Sequence, residues 1–343
     1  MKKKGFTLIE LLVVISIIAL LMAILMPALA KVRQIAHRVV CGSHLSGLGK
    51  SIELYSNEHE GKYPRAGKKG SVWGSIINRW NPIAANGIDD ETEAYGDLPT
   101  GNHATITSCL YLLIKYSDAS AKQFVCGGDT TASVFTLSKW PPATVTNNDL
   151  LEAWDFGSTD PATGQPDPAE AGKHCSYAYQ IPFSTLTGIT PFPLTSMSDS
   201  GMAIMADKNP YITNPPVDPG WAQSYQYICK AFGGSKQYIK WGNSPNHLQD
   251  GQNVLFVDGH VIFSDEPSCG VDNDNIYSMS DINWQTSGNI ADAGLEPWPV
   301  PVGTTPAVTV LPQTKTDSIL VNEGEQVMPT GTDVIAKAPV LGL

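Results

Sequence analysis

The first thirty residues constrain this chain more than any others. Met1-Lys2-Lys3-Lys4-Gly5-Phe6-Thr7-Leu8-Ile9-Glu10 opens it, and an almost unbroken apolar run follows from Leu11 to Leu29. Three lysines ahead of about twenty apolar residues meet the length rule for a spanning helix. The positive-inside rule then places the lysines in the cytoplasm and the rest outside it. One carboxylate, Glu10, sits inside the run. An acidic side chain in hydrocarbon costs about 2.5–3.5 kcal/mol even on the lenient insertion scale. That cost predicts a partner for Glu10 once the protein is assembled. A cleaved secretory signal fits less well, because the run flows into an amphipathic helix with no small-x-small site ahead of a globular start.

The string Gly5-Phe6-Thr7-Leu8-Ile9-Glu10-Leu11-Leu12-Val13-Val14-Ile15 resembles the N-terminus of type IV prepilins and of type II secretion pseudopilins. The resemblance implies a membrane-embedded prepilin peptidase that cuts between Gly5 and Phe6 and methylates the new amino terminus. It also implies that Glu10 pairs with the amino terminus of a neighbouring subunit in a filament of pilin-like subunits.

The apolar run continues into a second helical pattern. Ile35, Val39, Leu45, Leu48, Ile52 and Tyr55 mark one face. Lys31, Arg33, Gln34, Lys50 and Glu53 occupy much of the remainder. Pro27 should kink this helix without ending it, since the period resumes beyond it. Gly42, Gly47 and Gly49 weaken the helix and point to a close approach of a sheet. One long helix is expected over 6–58, ended by Gly61 and Pro64. The expected organisation is a leader at 1–5, a transmembrane or filament-core helix at 6–30 and an amphipathic stem at 31–60. A globular extracytoplasmic head at 61–288 and a weakly ordered tail at 289–343 follow. The tail is rich in Pro, Thr and Val without a sustained period.

In the head, Cys109–Tyr116 reads as a short helix capped by Thr107 or Ser108. Phe124-Val125-Cys126 reads as a strand-like entry. Ser176–Gln180, Ala203–Ala206 and Asn253–Val257 read as strands. Asp258-Gly259 reads as a type I′ turn returning into His260–Phe263. Loops rich in polar residues, Gly and Pro are expected over 86–103 and 139–172. The expected fold is α+β and pilin-like: a long N-terminal helix on a small antiparallel sheet, elaborated by loops.

The net charge is −11, and loss of residues 1–5 leaves 19 basic against 33 acidic side chains, or −14. No basic patch interleaved with aromatics appears, so nucleic acid is excluded as a partner. The six cysteines include no C-x-x-C pair. In an exported head, disulfides are expected among Cys109, Cys126, Cys175, Cys229 and Cys269, with the pairing open. Cys41, on the stem, is open to two readings: a sixth cysteine available for pairing, or a buried free thiol.

His247, Asp258 and His260 invite a catalytic or metal reading. A two-residue hairpin accounts for Asp258 and Gly259 more simply, and no nucleophile or third ligand falls at a suitable spacing. No residue is assigned a catalytic role, and the chain is not expected to be an enzyme. The same segment is similar to the C-terminal signature of a group of long-headed prepilin-like proteins, His, nine residues, then Asp-Gly. Here ten residues separate His247 from Asp258. Cys41 and Phe124-Val125-Cys126-Gly127-Gly128-Asp129 fit that group too, where Phe-x-Cys-Pro-x-Asp is usual. Asp272-Asn273-Asp274-Asn275 is oxygen-rich and makes Asp272 and Asp274 candidate calcium ligands, although the spacing is not that of an EF-hand. The similarity to G-type pseudopilins, which hold calcium near the C-terminus, points the same way.

The leading expectation is a structural subunit of a type II secretion or type IV pilus-like filament at the bacterial inner membrane. The alternative is a membrane-tethered extracytoplasmic binding module. In that case Trp73, Trp80, Trp140, Trp154, Trp221 and Trp241 supply stacking platforms.

Overall fold

The computed structural model describes residues 8–66, 72–73, 103–136, 150–152, 155–156, 158–159, 166–167, 172–180, 182, 194–209, 240, 242–271, 274–277, 318 and 320–321. Helix α1 runs unbroken over Leu8–Glu58 and continues through Pro27. Past Glu58 the chain turns back, and the Gly61 N–H donates to Ser56 O at 2.7 Å.

The buried face of α1 is Cys41, Leu45, Leu48, Ile52 and Tyr55, a strict alternation of four- and three-residue steps. Ile35 and Val39, expected on the same face, are instead exposed at 50% and 64%. The buried stripe runs back from Cys41 through Arg38, which the head still contacts at Asp250 and Phe263, and Ile35 and Val39 lie off that line. Gly49 allows the close approach that the glycines predicted. A Cβ there would lie 2.9 Å from Leu255 Cδ1 of the facing strand.

That strand belongs to a five-stranded antiparallel sheet in the order β8-β7-β6-β5-β9. Its members are β5 (Tyr177–Gln180), β6 (Ala203–Asp207), β7 (Gln252–Phe256), β8 (Val261–Ser264) and β9 (Leu320–Val321). Two short ribbons precede them in the chain. One joins β1 (Val72–Trp73) to β2 (His103–Ala104) in parallel, and the other joins β3 (Ser158–Thr159) to β4 (Pro166–Asp167) antiparallel. Every residue of β5, β6 and β7 is buried. One face, with Tyr177, Tyr179, Met205 and Leu255, joins the α1 seam in the main core. The other, with Ala178, Ala206 and Val254, is covered by Ile276, Tyr277 and Leu320. Strand β9 lies in the stretch expected to be a weakly ordered tail. It pairs antiparallel with β5, Gln180 opposite Leu320 and Tyr179 opposite Val321, while the fully buried Leu320 also donates its N–H to Ile276 O at 2.8 Å.

The β7–β8 hairpin forms, but with a different turn. Among its loop residues only Gly259 has positive φ, at +82°. Phe256 N–H donates to His260 O, and Gly259 N–H donates to Phe256 O. The loop is therefore three residues, Val257–Gly259, with a left-handed glycine at its end. A type I′ turn needs positive φ at two positions, and Asp258 does not supply it.

Helix α2 spans Ile106–Tyr116 and starts three residues before its expected beginning. The cap is Thr105, whose Oγ1 accepts Ser108 N–H while Ser108 Oγ accepts Thr105 N–H. Phe124 closes a 3-10 turn over Ala121–Phe124, and only Val125 beyond it is extended as expected. An aromatic cluster of Tyr111, Phe124, Phe135 and Phe156 fills the space beneath α2, with ring centroids 4.9–5.9 Å apart. The expected loop over 86–102 lies outside the described residues, as does most of 139–172. So do Trp80, Trp140, Trp154, Trp221 and Trp241. The whole is the expected α+β, pilin-like arrangement of a long apolar helix and an antiparallel sheet.

The Thr105 cap also donates to a buried carboxylate, Asp155 Oδ2, at 2.6 Å. Burial pushes Asp155 up to about 6, against hydrogen bonds from Thr105, Thr107 and Phe156 N–H that pull it down. The folded state therefore holds this proton more tightly than the unfolded chain does. Its stabilising effect is complete below about pH 4 and is lost as pH rises through about 6. The loss is on the order of 3 kcal/mol. Denaturant titrations across that range should show the decline in wild type and a flatter profile in Asp155→Asn.

Candidate functional site

Two regions carry chemistry that packing alone does not explain: the outer half of α1, and the junction where α1 meets the head.

The outer half is apolar on every side. An 18-residue window of α1 has mean hydropathy 3.0 and none of it is buried within the chain. Leu8, Ile9, Leu11 and Leu12 surround Glu10, which lies in the first helical turn. A helix with no polar face requires lipid or other apolar helices around it. The position of Glu10 near the helix N-terminus suits a carboxylate, since the helix dipole is positive there. Gly5 and Phe6 lie outside the described residues.

The junction begins at Cys41. Its Sγ is joined to Cys126 Sγ, with Cα atoms 5.3 Å apart and a sequence separation of 85. Of the two readings open for Cys41, pairing holds and the free thiol does not. The helix presents Cys41 directly to the extended segment that follows Phe124. Of the cysteines expected to pair, only Cys126 does so among the described residues; Cys109, Cys175 and Cys269 form no disulfide there, and Cys229 lies outside them. Burial pushes the Cys175 and Cys269 thiols up to about 12, so both stay protonated. Cys109 Sγ accepts Ala66 N–H at 3.2 Å.

Further ties reinforce the junction. Arg38 donates to Asp250 at 2.6 Å and lies over the Phe263 ring at 4.6 Å. Lys240 holds the other Asp250 oxygen at 2.9 Å. His44 Nδ1 lies 3.2 Å from Val125 O, and burial lowers its pKa. Nearby, Asp129 accepts from Lys208 at 2.7 Å, from Thr131 and from Ser176. Burial works to raise the Asp129 carboxyl, yet Lys208 and these hydrogen bonds together hold it below the usual range.

Behind the disulfide lies a buried polar cluster. His247 Nε2 is 3.1 Å from Asp207 Oδ2, 3.2 Å from Asn253 Nδ2 and 3.7 Å from Cys126 Sγ. Asp207 Oδ2 accepts the Asn253 N–H at 2.7 Å, and Oδ1 accepts Asn246 Nδ2 at 3.3 Å. Asn246 also donates to Ser176 O at 2.8 Å. Asp207 ends β6, Asn253 lies in β7, and Asn246 and His247 share a 3-10 turn capped by Ser244. His247 is thus held apart from the residues with which the sequence grouped it. Asp258 and His260 pair with each other on the exposed hairpin loop, where the His260 ring stacks on Phe256. Asp207, forty residues earlier in the chain, is the neighbour of His247. A carboxylate ending a fully apolar strand was the one available signal.

Asp272 lies outside the described residues. The Asp274 carboxylate accepts Ser318 N–H at 2.9 Å, which ties the segment before β9 to the head.

Residues 1–26 match the family model described as the prokaryotic N-terminal methylation motif. The chain carries a prepilin-type methylation motif. Residues matching the ComG operon protein 3 homolog of Bacillus licheniformis are 38% identical over 64 positions. That match spans 19% of this chain and 66% of that protein, just under two thirds of its length. No solved structure matches.

Cys41→Ser should remove the covalent stem–head tie. Closing a loop of this length predicts a loss of about 2–5 kcal/mol. Thermal unfolding of wild type and mutant in detergent should differ under oxidising conditions and converge on adding reductant.

Proposed function

We propose that this protein is a pilin-like structural subunit, inserted by α1, processed after Gly5, N-methylated at Phe6 and packed through α1 into a filament. The observation that carries the reading is the outer half of α1, apolar all round with one carboxylate, on a chain whose first 26 residues match a methylation motif. Lipid satisfies such a helix before assembly, and neighbouring copies satisfy it afterwards. The lysines at 2–4 favour a cytoplasmic amino terminus and an extracytoplasmic head, with a single crossing of the inner membrane. The prepilin peptidase and other pilin-like subunits are then the partners. Whether the filament serves secretion or a pilus turns on contacts of the head.

Glu10 has a specific part in this scheme. Removal of the leader exposes an amine at Phe6, one turn from Glu10 in sequence. Pairing across neighbouring subunits neutralises both charges in an apolar surrounding and fixes their axial register. The similarity to the ComG operon protein 3 homolog supports the same reading. Calcium at Asp272 and Asp274 is a secondary proposal, for which Asp274 must supply an oxygen beyond the one that receives Ser318 N–H.

Intact mass and N-terminal peptide mapping of protein from its native membrane should find a chain beginning at N-methylated Phe6. A chain beginning at Met1 would show that the motif is not read. Glu10→Ala should insert and be cleaved normally yet lose most of its fibre, since an unpaired buried partner costs about 3–5 kcal/mol per subunit. Sheared-fibre yield against total processed subunit measures this, and wild-type yield would exclude the pairing role.

A further inference from the structure

Cys41, Cys126, Asp207 and His247 offer one ligand atom each, and these four atoms all lie within 4.8 Å of one another. All four residues are buried, and Cys41, Cys126 and Asp207 are wholly so. We propose that this tetrad is a redox-gated metal centre: reduced, it binds one zinc-class divalent cation through two thiolates, an imidazole and a carboxylate, and oxidised, it holds the Cys41–Cys126 disulfide instead.

The geometry favours a metal over an acid–base relay. In a thiol–imidazole–carboxylate relay the imidazole uses one nitrogen for each partner. Here Asp207 and Cys126 both face the same nitrogen, Nε2. Donor atoms converging on one point are what a cation requires. Tetrahedral zinc with ordinary bond lengths places its nitrogen and oxygen ligands about 3.3 Å apart, and nitrogen and sulfur about 3.6 Å apart. The separations are 3.1 Å for His247 to Asp207 and 3.7 Å for His247 to Cys126.

The surroundings suit the charge. Two thiolates, one carboxylate and a divalent cation sum to −1. Gly128 N–H points at Cys126 Sγ at 3.3 Å, and Asn253 N–H points at Asp207 Oδ2 at 2.7 Å. These are outer-shell donors of the kind that orient ligands and damp their charge. The Asn253 side-chain amide now spans Asp207 Oδ2 and His247 Nε2, at 3.1 and 3.2 Å. The cation takes its place between those two atoms. Four protein ligands in a buried setting leave no open position, so the centre is structural and not catalytic.

The chemistry balances. A dithiol reductant gives two electrons and two protons to the Cys41–Cys126 bond, becomes a disulfide itself and leaves two thiols. The cation then displaces those two protons as it binds the two thiolates. In both states Cys41 on α1 stays linked to Cys126, by a covalent bond in one and through the ion in the other. An exported chain meeting zinc before an oxidant would therefore still fasten its stem.

The full chain in detergent, reduced by a water-soluble phosphine and then freed of it, is titrated with Co²⁺ alone. The expected result is one equivalent bound with the thiolate charge-transfer and tetrahedral ligand-field bands, displaced by Zn²⁺, and no such bands in the oxidised protein. Because outer-shell partners alone cost about 10–100-fold in affinity, Cys126→Ser, Asp207→Asn and His247→Gln should each lose at least about 100-fold. Absence of the bands in reduced, folded wild type would overturn the proposal, as would bands unchanged in all three variants. If reduction alone unfolds the head by circular dichroism, Zn²⁺ supplied during reduction should keep it folded, and failure to do so would equally overturn it.

Discussion

Everything in the head is hung on one helical seam. Cys41, Leu45, Leu48, Ile52 and Tyr55 repeat at four- and three-residue steps and present a narrow apolar stripe to β7 and α2. The same helix before Gln34 is exposed at every described residue. A single α-helix therefore serves two surroundings, and the change between them falls over residues 34–41. Gly49 lets the helix axis approach Leu255 closely enough for the stripe to interlock with the sheet. Enlarging that side chain would overpack the seam.

Beneath the seam, polar groups fix which way the sheet lies. Asp207 is buried at the end of β6 and accepts from main-chain and side-chain donors of Asn253 and from Asn246. Those donors come from β7 and from the turn before it. A buried carboxylate is costly unless its oxygens are well supplied with donors. That cost penalises a register slip between β6 and β7, which would strand Asp207 without its donors. Asn209 does similar work at the other edge, donating to Tyr277 O and Leu320 O. It holds the late β9 segment onto a sheet built from residues far earlier in the chain.

Helix α1 was legible almost to the residue, because membrane-length apolarity and a heptad-like stripe are local signals. Three central strands were legible for the same reason. What escaped was set by distance in sequence. Ile35 and Val39 are spaced four apart as the stripe residues can be, but they lie off its line, which runs back from Cys41 through Arg38, and a loose period does not fix the phase. As a cap, Thr105 is masked in the sequence by the hydroxyls at 107 and 108, which sit nearer the apolar run. Leu320 carries no strand signal of its own, and only the carbonyl of Ile276 and the space beside Tyr177–Gln180 make it one. The pairing of Cys41 with Cys126, and of His247 with Asp207, spans 85 and 40 residues respectively. Neither separation leaves a pattern in a single sequence. The methylation motif was legible because it is a contiguous string of residues, independent of the fold.

The place of the disulfide follows from the two surroundings of this helix. A helix gripped only by a stripe of side chains frays from the end where the stripe begins, since the first buried turn has neighbours on one side alone. In α1 that end is Cys41, and it is also the point through which any pull on the outer half reaches the head. Arg38, His44 and the Cys41–Cys126 bond all act within two turns of this point. Leu45, Leu48, Ile52 and Tyr55 hold by burial, which yields one residue at a time. A covalent tie at the first buried position removes the step from which peeling would start, so the remaining contacts must break together. The strongest bond thus stands where load enters, and the weaker apolar contacts lie behind it.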